Sequence, residues 1–372
     1  MNIKIPKISI YDRYVFKQVA FATIGAVLLF TIVWIAPEIL LNTIKRALAG
    51  EYGFKTAILL LYYELPKVLD KAIPVGLLLG TLFTFDRLSK DSEMTIFRAT
   101  GMSFQRIIVP VVIFAMFFSS FCFLLKDRGT PFAENKLRAI RGDFVAAQYI
   151  YTQKDKSGHP LLAVVVSRGV KRNIENVIVL DFSNQVYQDV HELSTIYYAK
   201  NGTANDDKWT LNDVTRYKIS NDGIYIDIDH IDHLNILDNH SAHNAYMLMK
   251  YSVVKERDIS TPKLKKYLKL LKYENLDEEY NYMLNKYLQR FLTPLVCILL
   301  AILGCLLGFS RPREQRVWGF TVGIGCVFLY YITQPFFDLL AEKGILSPYI
   351  TAIVPTLGFI GAIYGFYKLK DL

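Results

Sequence analysis

The sequence contains no GxxxxGK[ST] phosphate loop, so the chain cannot by itself be a P-loop ATPase. It has only four cysteines, Cys122, Cys297, Cys305 and Cys326, and all four lie inside apolar runs. Neither a disulfide framework nor a cysteine nucleophile is indicated. The first apolar run is too long for a secretory signal and no small-residue cleavage site follows it. Histidine is scarce too, with six residues confined to the middle third. There "HIDHLNILDNHSAH" offers two HxxH spacings, but on a strand i and i+3 face opposite ways, and neither pair belongs to a helical HExxH. Ordinary polar histidines are the better reading, and no metal, cofactor or nucleic-acid partner is expected.

What the sequence has in abundance is apolar length. Of its 372 residues 52% are hydrophobic, and the mean hydropathy is +0.24, which a soluble chain rarely reaches. Five charge-free runs begin at Val19, Ile107, Phe291, Val317 and Ile345, each about the length that crosses a hydrocarbon core as a helix. A sixth, from Ile58 to Phe85, carries Glu64, Lys67, Asp70 and Lys71 in its first half. Those charges can pair at i, i+3, with Pro66 and Pro74 marking a broken or interfacial start to the span. A proton path through the carboxylates is the alternative.

Short-loop charge sets the orientation. Lys4, Lys7, Arg13 and Lys17, then Arg87, Lys90, Arg98 and Arg106, then Arg311, Arg313 and Arg316, and finally Lys368 and Lys370 fall on one side. The other side's short loops hold Lys45, Arg46, Lys55 and Lys343. The first side is therefore read as cytoplasmic, with both termini on it. The region between the third and fourth spans is exported. It reads as short strands such as "LLAVVVS", "NVIVLDF" and "TRYKIS", with turns at Asn201 and Asp222. Ile224, Ile226 and Ile228 alternate with polar residues, which predicts an antiparallel sandwich or open roll. A helix follows in which Leu264, Tyr267, Leu268 and Leu271 form a stripe beside five lysines. Those lysines either meet anionic head groups or keep the helix solvated.

One loop stands out. In "RLSKDSEMTIFRATGMS", Asp91 or Ser92 can cap a short helix with Glu93 in its first turn, and Gly101 can end it. The longer segment "ELPKVLDKAIPVGLLLGTLFTFDRLSKDSEMTIFRATGMS" resembles the signature region of the LptF/LptG (YjgP/YjgQ) permease family: a proline-containing second span, a "dsE" helix and a "raxGxs" turn. "KWTLNDV", "STPKLKKYL", "YLQRFLTPL" and "SPYITAIVPTLGFIGAIYGF" extend the likeness along the chain.

The resemblance implies a multi-pass α-helical membrane protein of six transmembrane helices with an inserted periplasmic antiparallel β-jellyroll-like domain. It divides the chain into helices 1–3 (1–125, with a coupling helix near 88–103), the jellyroll (126–260), an amphipathic linker helix (261–290) and helices 4–6 (291–372). It implies the inner-membrane permease half of an ABC exporter of lipopolysaccharide or a related glycolipid, not itself an enzyme. A cytoplasmic ATPase dimer, a second permease of the family or a second copy of this chain, and a periplasmic bridge protein are the implied partners. The ATPase-coupling residues are then Glu93, whose carboxylate would meet a basic residue of the ATPase, with Asp91, Arg98 and Gly101 around it. For a phosphorylated glycolipid, Lys45 and Arg46 sit just past the outer end of the first span, after the apolar Phe30 and Trp34. They are either a phosphate clamp or an interfacial anchor. A secondary transporter and a membrane-anchored envelope assembly protein are the alternative classes.

Overall fold

The computed structural model describes residues 9–35, 39–50, 53–141, 145–154, 159–170, 172–183, 185–187, 190–205, 207–219, 225–237, 239–252, 254–309 and 317–370. Lys4, Lys7, Arg311, Arg313 and Arg316, the turn at Asp222 and Ile224 lie outside them. The chain divides into two compact units, residues 1–137 with 256–372, and residues 138–255.

In the first unit, α1 (Ile10–Ile35), α2 (Leu41–Leu48), α3 (Phe54–Lys90), α4 (Glu93–Ala99) and α5 (Phe104–Leu124) follow one another, and a π-type turn at Leu125–Gly129 leads from α5 into α6 (Thr130–Arg141). The second unit carries β1 (Val145–Lys154), β2 (Pro160–Val170), β3 (Asn173–Asp181), β4 (Gln185–Tyr187), β5 (Val190–Glu192), β6 (Thr195–Ala204), β7 (Trp209–Ile219), β8 (Tyr225–Asn235) and α7 (Asn239–Ser252). Back in the first unit come α8 (Thr261–Tyr273), α9 (Asp277–Gly308), α10 (Val317–Glu342) and α11 (Pro348–Leu369). Among the described residues six helical segments are long and apolar enough to cross a membrane: α1, α3, α5 running on into α6, α9, α10 and α11.

The second span differs from its sequence reading. α3 is one unbroken helix of 37 residues through both Pro66 and Pro74. A proline removes one N–H and crowds the preceding turn, but a helix packed on several neighbours can absorb that loss. Its charged half is packed into the bundle in part: Glu64 is 4% exposed with Lys67 3.7 Å away. Asp70, expected to pair with Lys67, instead accepts from the Cys122 thiol at 3.5 Å.

α3 is the centre of the bundle because small residues let two helices approach it. Gly76 and Gly80, one turn apart, face α1: a Cβ on Gly80 would lie 2.3 Å from Thr23 Oγ1 and 2.5 Å from Thr23 Cα. Gly304 and Gly308 of α9 face α3 from the other side, with a Gly304 Cβ meeting Leu78 O at 2.5 Å and a Gly308 Cβ meeting Leu82 O at 2.5 Å. Inside lipid there is little hydrophobic drive between helices, so such backbone-to-backbone approach supplies the van der Waals contact that holds them. α8 covers the polar start of α9, its stripe of Leu264, Tyr267, Leu268 and Leu271 buried and its lysines exposed, with Tyr267 donating to Glu279 at 2.6 Å.

In the second unit, β1-β2-β3-β6-β7-β8 form one antiparallel sheet in chain order, and β4-β5 is a separate hairpin. All five ladders skip the same transverse row: Gln148, Ser167, Asn176, Lys200, Asp213 and Asp232. Asn176 and Asp213 have left-handed backbones there, φ 49° and 52°. The burial pattern changes phase across the row, so β3 buries Ile174 and then Val177 and Val179, and β7 buries Trp209 and Leu211 and then Val214. A one-residue phase change in neighbouring strands keeps apolar side chains on the core face while the sheet bends along that line. Where an antiparallel sandwich or open roll was expected, the six strands form a single antiparallel meander with a crease. Arg216 and Asp229 pair across β7 and β8, and the guanidinium holds the Asp229 carboxyl below its usual range.

Trp209 is fully buried and its indole N–H donates to Ala242 O of α7 at 3.2 Å. Trp209→Ala therefore leaves a cavity and removes the indole bond to the Ala242 carbonyl, and it is expected to cost about 3–5 kcal/mol in the stability of this unit. Protection of β7 amides from hydrogen exchange is the check; unchanged protection contradicts the core assignment.

Candidate functional site

α4 begins without a side-chain cap, which corrects the expectation placed on Asp91 and Ser92. Asp91 closes α3, its N–H bonded to Arg87 O at 2.9 Å and its carboxylate 3.6 Å from the same arginine. Ser92 takes a left-handed backbone (φ 61°), and its side chain makes no cap bond. The chain reverses there so sharply that Glu93 is the first residue able to address the helix N-terminus, where a carboxylate is favoured by the aligned peptide dipoles.

The far end of α4 is closed by Gly101 at φ 85°. Met102 N–H bonds to Phe97 O at 3.2 Å and Gly101 N–H to Arg98 O at 3.0 Å, the Schellman pairing that only a left-handed residue permits without strain. The helix is amphipathic across its narrow width. Met94 is buried in the bundle core and Phe97 packs edge-on to Tyr11, centroids 4.7 Å apart. Thr95, Ile96 and Arg98 are exposed, with the Arg98 guanidinium 5.7 Å from the centroid of Phe309.

What no spacing rule could reveal is how α4 is fastened to α1. Tyr14 donates to Glu93 Oε1 at 2.9 Å, across 79 residues of sequence. Beside it, Arg106 at the start of α5 grips Asp12 with two bonds of 2.6 and 2.8 Å, and Tyr11 donates to Ile107 O at 2.8 Å. Four contacts thus tie the first turns of α1 to α4 and α5. Bidentate arginine geometry makes such a tie directional as well as strong.

At the other end of α1, Phe30 and Trp34 stack with centroids 6.2 Å apart, and the cation over Trp34 is Lys71 Nζ at 4.7 Å, a residue the sequence reading counted among the span-entry charges. Lys45 and Arg46 lie exposed on α2. A second group escaped the sequence reading altogether. Asp338 accepts from Asn285 and Gln289 at 2.8 Å each and from Lys286, and Thr351 donates to Asn285 Oδ1 at 3.2 Å, joining α9 to α10 and α11. The histidines divide between partners: His230 lies 3.4 Å from Thr215 Oγ1 and His233 Nδ1 lies 2.9 Å from Asn212 Oδ1.

The six membrane-length helices among the described residues, an inserted antiparallel sheet and the short helix α4 between the second and third of those helices define a multi-pass membrane protein with a β unit. The chain belongs to the family described as lipopolysaccharide export system permease LptF/LptG, whose model matches residues 13–368. It is 25% identical over 224 residues to the lipopolysaccharide export system permease protein LptG of Haemophilus influenzae. That match covers 58% of this chain and 60% of the relative.

Proposed function

We propose that this chain is the transmembrane permease subunit of an ABC exporter that takes lipopolysaccharide, or a related glycolipid, from the inner membrane and passes it to a periplasmic bridge. The family match across residues 13–368 carries the reading. α4 with Glu93, Asp91, Arg98 and Gly101 is the surface on which a cytoplasmic ATPase dimer docks, and a second permease subunit completes the transporter. Both termini then lie in the cytoplasm and the β unit in the periplasm. The chain hydrolyses nothing itself. Work enters through α4, and the fastening of α4 to α1 offers a rigid route from the docking surface to the aromatic pair Phe30 and Trp34.

Co-purification in mild detergent is the direct test: an ABC-type ATPase and a permease of this family are expected to come with the chain in stoichiometric amounts. Recovery of the intact chain with neither would overturn the reading.

Lys45 and Arg46 are proposed to contact the phosphorylated head group. Removing both charges is expected to weaken glycolipid binding about 10-fold or more, as one or two charge-assisted hydrogen bonds are lost. Insertion and ATPase recruitment should stay intact. Photo-crosslinking of glycolipid to α1 in the double variant Lys45→Ala, Arg46→Ala measures it, and an undiminished yield would rule out the clamp in favour of an anchor.

A further inference from the structure

α9 is longer than a membrane crossing requires. From Phe291 to Gly308 it is free of charge, about 27 Å of helix and close to one hydrocarbon thickness, whereas from Asp277 to Arg290 it carries acids, a lysine and an arginine over about 21 Å more. Its Gly308 end lies beside α4, because the next residue, Phe309, is the ring under Arg98, so the charged extension projects from the opposite surface. α8 runs back along that extension. Arg290 donates to Thr261 Oγ1 at 3.3 Å, and Tyr267 donates to Glu279 further up, so α8 stands upright with its first residue at the edge of the apolar layer.

The buried stripe of α8 takes the side facing α9, and four exposed lysines occupy the opposite side. Lys265 and Lys266 stand four and three residues before Lys269, and Lys272 three after it. Like charges at those spacings are neighbours on a helix surface and repel. No acidic residue lies within α8, the first after it being Glu274 at the C-cap, and among the described residues none of the four lysines is in an ion pair of 4.0 Å or less. Of the acids that open α9, Glu278 pairs with Lys343 at 3.3 Å and Glu279 accepts from Tyr267. The row is therefore a one-sign surface that a polyanion complements.

We propose that the upright lysine row of α8 binds the phosphorylated saccharide of the exported glycolipid, an inference that rests on the export reading above. Height decides between this occupant and ordinary lipid head groups, which extend about 5–7 Å beyond the hydrocarbon on each side. At 1.5 Å per residue from Thr261, Lys265 and Lys266 stand about 6–8 Å up, and Lys269 and Lys272 about 12 and 16 Å up. The upper two rise above the head-group layer, so only an anion that extends out of the bilayer engages the whole row. Lysine suits such a ligand, since a compact charge on a flexible stem meets phosphates at varied positions along a sugar chain without demanding one geometry.

The test uses the full-length chain in detergent at low salt and three probes: lipopolysaccharide with a long phosphorylated saccharide, the same lipid trimmed to its acylated sugars, and phosphatidylglycerol. The variant carries Lys265→Gln, Lys266→Gln, Lys269→Gln and Lys272→Gln, all at exposed positions. It is expected to bind the long lipopolysaccharide about 10-fold more weakly than the wild type and the other two probes equally well. The four-fold Lys→Arg variant should keep wild-type affinity, and added salt should erase the difference between wild type and Gln variant. Equal affinity of wild type and Gln variant for the long form overturns the inference and makes the row a solvated face. An equal loss for the trimmed lipid or for phosphatidylglycerol overturns it too, by confining the contact to the head-group layer. Should the Gln variant misfold, wild-type chain still decides, because the inference requires it to bind the long form more tightly than the trimmed one. A wild-type chain that binds neither lipopolysaccharide defeats the export reading and this inference together, whereas one that binds both forms alike defeats this inference alone.

Discussion

Gly304→Leu is expected to yield no correctly folded protein, and Gly304→Ala to lose most of its thermal stability in detergent. Even the single methyl of alanine would stand 2.1 Å from Thr81 Oγ1 and 2.5 Å from Leu78 O. The hydroxyl has some freedom, although it is already bonded to Leu77 O at 2.7 Å. The carbonyl belongs to the backbone of the central helix and has none. Relief requires α9 to move off α3, which unseats Gly308 from Leu82 O and the apolar contacts between them. Overpacking of that kind costs about 3 kcal/mol or more, a large share of a typical folding free energy. The control is Gly325→Ala, where nothing lies within 4 Å of the added carbon. There the helix propensity of alanine should leave stability unchanged or raise it by up to about 1 kcal/mol. Monodispersity and unfolding temperature of the two variants decide it. If Gly304→Ala behaves as Gly325→Ala does, the close packing of α9 on α3 is wrong.

Glu93→Lys is expected to give a folded, inserted protein that recovers little ATPase and exports almost nothing. Two energies compete. Reversing a charge at the N-terminus of a short exposed helix costs about 0.3–1 kcal/mol through the dipole, and losing the hydroxyl bond from Tyr14 adds about 1 kcal/mol. Neither threatens a six-span bundle. A carboxylate docked against a cation of a partner is another matter, since truncating one member of such a pair costs about 2–5 kcal/mol and reversal adds repulsion. Binding therefore suffers far more than folding. Tyr14→Phe separates docking from transmission: it leaves the carboxylate in place but cuts its link to α1. Normal ATPase recovery with reduced export in that variant supports a route through α1, and normal export means that the link carries no force. Normal recovery and export in Glu93→Lys would falsify the docking surface itself.

Much of the architecture was legible because the constraint behind it is one-dimensional. A bilayer demands about 20 apolar residues in a row, so the spans show in a linear scan, including the second span despite its charges. The stripe of Leu264, Tyr267, Leu268 and Leu271 was readable for the same reason, since a helix folds its own periodicity onto one face. Gly101 announced a helix end because a left-handed residue is needed there and glycine supplies it. The family signature around Glu93 likewise lies in contiguous residues, so it needed no fold to be seen.

The remainder depends on which distant residues meet. Prolines at 66 and 74 spell a break locally, and only the neighbours packed on α3 keep the helix whole. Asp91 and Ser92 look like caps until the reversal after Lys90 turns one into the end of α3 and the other into a left-handed corner. The glycine pairs at 76/80 and 304/308 can be read as close-approach motifs, but their partners, Thr23 and Val27 on one side and Leu78 and Leu82 on the other, are fixed by three-dimensional packing. The crease in the sheet needs the register of all six strands, because Asn176 and Asp213 fall on one line only after pairing. Tyr14 and Glu93, Lys71 and Trp34, and Asn285 and Asp338 come together across tens of residues. The sequence by itself determined that the chain carries runs long and apolar enough to cross a membrane, a β insertion and the signature of these permeases, since hydropathy, alternation and signature are local properties. Tertiary structure alone decided which charges compensate one another, because compensation is a matter of distance in space and dielectric surroundings, and neither is written along the chain.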